Sequence, residues 1–117
     1  RQDLHDNDRQ EILEFFLVDH NAIKKYHQYE KKLIARGFIN NERNEWKKPL
    51  INFIRYIHYC AERKLLKSFY WGDDFIDAVK GMKVLYFYNK KLPSDYQKLK
   101  VAKDNIEKKP NKFDFLN

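Results

Sequence analysis

The sequence predicts an all-α fold: about five helices in antiparallel hairpins, as a compact bundle or a short right-handed helical solenoid. Three observations predict it. Apolar residues recur at three- and four-residue steps over most of the 117 positions, the period of a helical stripe. Gly and Pro number three each, too few for the many turns of a β-sandwich or barrel. Hydrophobic residues make up 43% and charged residues 35%, which suits solvated helix faces around a real core and excludes a wholly disordered chain. The length fits one helical domain, residues 1–117, with 1–7 as a leader and 110–117 as a tail, each mobile or docked on a partner.

The first helix is expected over about Asp8 to Val18, opened by a capping box of Asp8 and Glu11. Its run Ile12, Leu13, Phe15, Phe16, Leu17 is nearly continuous, so more than one face is expected to be buried. The second covers about Ala22 to Arg36 behind a cap at Asp19 or Asn21, and Gly37 stands where a left-handed C-terminal cap is wanted. After the polar loop "NNERNEWKKP", the third and longest helix is expected from Pro49 to Tyr70, with Pro49 suited to its first turn. The fourth is expected over Phe75 to Lys90. The fifth opens at Ser94, capped with Gln97 three residues on, and ends before Pro110.

No catalytic, cofactor-binding or metal-binding set emerges from the motifs. Asp73, Asp74 and Asp77 could be read as acid–base or cation ligands, but no converging ligand or nucleophile lies near them in sequence. A helix corner explains them better: Gly72 ends one helix, Asp73 or Asp74 caps the next, and Asp77 meets its dipole. His20 and His27 stand seven residues apart, not the four that place two ligands on one helix face. No phosphate-cradling glycine loop is present. The single cysteine, Cys60, sits among Tyr56, Ile57 and Ala61 and reads as a small core residue; one cysteine allows no internal disulfide and fits an intracellular, reducing compartment. Apolar runs such as "FFLV" are far shorter than the roughly 20 residues of a membrane-spanning helix. Arg1 in place of Met is compatible with a cleaved organellar presequence and equally with a fragment, so residues upstream are left open.

Charge is divided unevenly. The net charge is +7; residues 1–20 carry −4 and the remainder +11. A basic body behind an acidic leader is compatible with a polyanion, an acidic protein partner or self-neutralisation. Nine Phe, eight Tyr and two Trp exceed what one small core readily hides, and aromatics left outside are common anchors of protein interfaces. The expected interface residues are Trp46, Tyr70, Trp71, Phe113 and Phe115, with Lys90 and Lys91 for charge. No small-molecule substrate is implied. The alternative is a small nucleic-acid-binding or ribosome-associated protein, stacking bases on aromatics interleaved with lysines in "KSFYW" and "KVLYFYNKK".

The stretch "GDDFIDAVKGMKVLYFYNKKLPSDYQKL" resembles one unit of a tetratricopeptide- or pentatricopeptide-like helical hairpin, with Ala78 as the small residue where two helices approach. "DFIDAVKGMKVL" and "DYQKLKVAKDNIEKK", roughly residues 74–109 or a third of the chain, also resemble cytochrome c oxidase subunit 5A (subunit VI in fungi). Asp74, Phe75, Ala78, Val79 and Lys80 carry the likeness, with Tyr96 beyond; the N-terminal half lies outside it. The resemblance implies a non-catalytic subunit on the matrix side of a mitochondrial respiratory-chain complex.

Overall fold

The computed structural model describes residues 6–67, 73–87 and 113–116. Within them the chain is all-α: α1 (Asp6–Phe16), α2 (His20–Ala35), α3 (Leu50–Glu62), α4 (Asp73–Met82) and a single turn, α5 (Val84–Phe87), followed by a 3₁₀ turn, Asp114–Leu116. No strand occurs among the described residues; two isolated bridges, Leu17 with Leu66 and Ile39 with Trp46, tie loops together. The radius of gyration is 13.3 Å, in line with the roughly 13 Å of a compact domain of this length.

α1 begins two residues earlier than its spacing suggests. Asp8 therefore lies inside the first turn beside Asp6, on the positive end of the helix dipole, rather than capping it. α2 is bounded by local chemistry. Asp19 accepts a hydrogen bond from the Ala22 amide at 2.8 Å, satisfying one of the orphan donors of the first turn. At the other end Gly37 takes φ 76°. Phe38 N–H donates to the Leu33 carbonyl at 2.9 Å and Gly37 N–H to Ile34 at 3.1 Å, the two bonds of a Schellman motif.

α3 stops eight residues short of the expected Tyr70. The same pair of bonds closes it: Leu65 N–H to the Cys60 carbonyl at 3.0 Å and Lys64 N–H to Ala61 at 2.9 Å. Lys64, at φ 63°, occupies the left-handed position usually given to glycine. The chain then extends, and Leu65 and Leu66 are buried against the α1–α2 corner, with Val18 N–H donating to Leu65 and Lys67 N–H to Phe16. Similarly, the expected fourth helix is interrupted at Lys83. Gly72, the remainder of that helix beyond Phe87 and the expected fifth helix lie outside the described residues.

The core is aromatic at its centre. Trp46 packs edge-on to Phe53 at 5.2 Å and against Tyr86 at 5.7 Å, and its amide donates to the Tyr86 carbonyl at 3.0 Å. Trp46 and Phe113, expected on the surface as interface anchors, are 2% and 0% exposed and belong to this core. The reason lies in the loop before Trp46. The Asn40 side-chain oxygen accepts from the amides of Asn44 and Glu45, which folds the polar residues outward and tucks the indole beneath them. Phe113 enters with the 3₁₀ turn, which docks on α2 where Lys32 Nζ donates to the Leu116 carbonyl at 2.9 Å. α1 meets α4 through a notch: the Phe16 ring lies over Gly81, where an added Cβ would come within 2.0 Å of it.

Candidate functional site

Two places concentrate chemistry. The first is a buried polar network. Arg9, one helical step before Leu13 and Leu17, points inward and donates to Glu30 Oε2 at 2.7 Å and to the Arg43 carbonyl at 2.8 Å. Tyr86 Oη donates to the same Glu30 oxygen at 2.6 Å and lies 2.5 Å from the Tyr26 hydroxyl. On the outer side, His27 Nδ1 is 3.4 Å and Arg43 Nη1 3.9 Å from Glu30 Oε1. Burial alone would push the Glu30 carboxyl up. The imidazole of His27 beside Oε1, the charge of Arg9 and the Tyr86 hydroxyl outweigh it and hold the group below its ordinary value.

The centre of this network is closed to solvent, while its outer members His27 and Arg43 are partly exposed. Glu30, Tyr26 and Tyr86 have no exposed surface. Burial drives the Tyr26 and Tyr86 hydroxyls well above their ordinary range and pushes the Cys60 thiol up to about 12, so all three are neutral at physiological pH. The arrangement is a clasp joining α1, α2, the loop at Arg43 and α5. Among the described residues no group of three or more His, Cys, Asp or Glu is placed to hold a metal.

The second place is the α1–α2 corner. A cleft of about 300 Å³ is lined by Glu14, Leu17, Val18, Asp19, His20, Ile23 and Lys67. Leu17 and Ile23 lie at its base, almost fully buried, and its rim carries Glu14, Asp19, His20 and Lys67. Beside it Phe15 is 70% and Val18 46% exposed, the two large hydrophobic side chains left outside among the described residues. Phe15 stands edge-on to Phe16 at 4.9 Å, and the Phe16 ring lies over Gly81. The outward face of α1 next to it carries Asp6, Asp8, Glu11 and Glu14, all exposed, while its one base, Arg9, is buried.

The residues expected to form an interface are not brought together. Trp46 and Phe113 are core. Phe115 is half-buried, stacked on Phe38 at 5.8 Å and covered by the Arg36 guanidinium at 4.7 Å. Tyr70, Trp71, Lys90 and Lys91 lie outside the described residues. Asp77 is exposed on α4, which begins at Asp73, two residues before the expected Phe75, so Asp73 and Asp74 lie within its first turn rather than capping it. Tyr86, one of the aromatics considered for base stacking, is fully buried. Two signals for the actual features were present in the sequence: Arg9 in phase with Leu13 and Leu17, and Glu30 in the stripe of Tyr26, Tyr29 and Leu33. Compared with protein-family models, curated proteins and solved structures, the chain matches none.

Proposed function

We propose that this chain is a non-catalytic accessory module that docks on a larger protein assembly through the α1–α2 corner. The exposed Phe15, packed edge-on to Phe16 and next in sequence to the cleft-lining Glu14, is the observation that supports the reading. Exposed aromatic side chains are frequent anchors of protein interfaces. The exposed carboxylates of α1 set the sign of the partner: a basic amphipathic segment, seating an apolar side chain on Leu17 and Ile23 and its cations against Glu11 and Glu14. A mitochondrial respiratory-chain complex is the assembly implied by the resemblance of residues 74–109.

The test is to purify the native chain with its stoichiometric partner and measure the affinity of that pair by titration. Phe15→Ser is expected to weaken it at least tenfold, and Glu11→Lys with Glu14→Lys to weaken it comparably, roughly the 1–2 kcal/mol or more of an anchoring residue. Thermal stability stays unchanged, because these side chains are exposed. Unaltered affinity in both variants, or no stoichiometric partner at all, overturns the proposal.

A further inference from the structure

α2 divides its residues by charge as well as by polarity. Its one acidic residue, Glu30, is buried in the clasp, while Lys24, Lys25, Lys31 and Lys32 are exposed, as is Arg36 just after it. At 3.6 residues per turn, Lys24, Lys25 and Lys31 fall within about 120° of arc, and Lys24 and Lys31 stand about 10 Å apart along the axis. Lys32 and Arg36 already engage the C-terminal turn, Lys32 through the Leu116 carbonyl and Arg36 over the Phe115 ring. Lys24, Lys25 and Lys31 have no carboxylate within ion-pair distance among the described residues. The neighbouring helix α1 carries exposed carboxylates at Asp6, Asp8, Glu11 and Glu14.

We propose that the outer face of α2 is a phosphate-tracking surface for double-stranded nucleic acid, with Lys24, Lys25 and Lys31 as its contacts. Three features select this partner. No large apolar side chain is exposed on this arc, which otherwise holds Asn21, Gln28, Lys32 and Ala35, so a folded protein would find no anchor there. Affinity for a polyphosphate needs none, because it comes from released counterions. The helix presents no aromatic on this face, since Tyr26 and Tyr29 are buried, and a single strand gains its affinity largely by stacking bases on such rings. Duplex phosphates, at one charge per roughly 1.7 Å of axis, always offer partners to lysines at this spacing. The acidic face of α1 confines the duplex to the α2 side. This surface is separate from the Phe15 corner, so either proposal can fail alone.

The test titrates the full chain against a fluorescent 20-base-pair duplex at several salt concentrations. The logarithm of the association constant is expected to fall with the logarithm of salt with a slope of about −3, roughly 60-fold between 50 and 200 mM. Lys24→Gln, Lys25→Gln and Lys31→Gln together remove most of that slope, about one unit per lysine. A control of equal charge, Lys47→Gln with Lys64→Gln and Lys80→Gln, changes affinity less than about threefold, as expected if these lysines make no phosphate contact. Glu11→Gln with Glu14→Gln tightens binding. Three results overturn the proposal: a control that loses as much as the α2 variant, which would assign binding to overall charge; tighter binding of a single strand than of the duplex; or displacement of the duplex by polyglutamate at equal charge, which would assign the face to an acidic protein.

Discussion

Single hydroxyls and charges within the clasp differ in what their removal does. Tyr86 gives its proton to a carboxylate that has no exposed surface, so Tyr86→Phe leaves an ionised oxygen short of a donor. The expected cost is about 1–3 kcal/mol by chemical denaturation. Tyr29 is equally buried, yet its hydroxyl has no hydrogen-bond partner among the described residues. Tyr29→Phe orphans nothing and is expected to be neutral or slightly stabilising. Equal losses in the two variants would contradict the network described. The Glu30 carboxyl also sets a pH dependence. Its value in the folded chain is lowered, so its stabilising contribution is whole above the ordinary carboxyl range and is lost as pH falls through the lowered value. The stability gap between the native chain and Glu30→Gln is therefore expected to be widest near neutrality and to close in acid. Arg9 and Glu30 were legible only as in-phase charges on apolar stripes. Their pairing across 21 residues is a tertiary fact that helical period alone does not encode.

Where helices stop separates what local sequence determines from what packing determines. α2 was readable at both ends because Asp19 and Gly37 act on their immediate neighbours. α3 was not, because Lys64 adopts the left-handed turn without being glycine; it does so because Leu65 and Leu66 are drawn onto Leu17. The cost of a β-carbon there, about 1–2 kcal/mol, is offset by that burial. Lys64→Gly is expected to stabilise the fold by about 0.5–1 kcal/mol, the left-handed penalty less the added flexibility of the unfolded chain. The opposite holds for Gly81, where the backbone touches the Phe16 ring. Gly81→Ala gains helix propensity of about 1 kcal/mol but must displace the Phe16 ring, and net destabilisation is expected because that ring packs partly buried against the core. If Gly81→Ala raised the melting temperature, the notch between α1 and α4 would not exist as described.

At the scale of the molecule, the all-α class and the single core followed from period, composition and length, while the surface did not follow from the same signals. Aromatic abundance pointed outward, to Trp46 and Phe113. The fold turns both inward and instead leaves Phe15 outside, from an apolar run that suggested burial. A helix of 11 residues cannot bury every member of the run from Ile12 to Phe16, and only the tertiary arrangement decides which ring is left over. Phe113 makes the sharpest test of this inversion, because it joins the C-terminal turn to the centre of the core from far along the sequence. Its ring packs on Phe38 at 5.3 Å and on Tyr56 at 5.7 Å. Phe113→Ala is expected to cost about 3–5 kcal/mol. At about 2.1 cal/mol/K of unfolding entropy per residue, 117 residues lose about 4 °C for each kcal/mol, hence roughly 12–20 °C in melting temperature. An interface anchor would behave oppositely: the melting temperature would hold and only partner affinity would fall. Scanning calorimetry of this variant beside Phe15→Ser thus separates the two roles, since the fold requires Phe113 to move the transition and Phe15 to leave it in place.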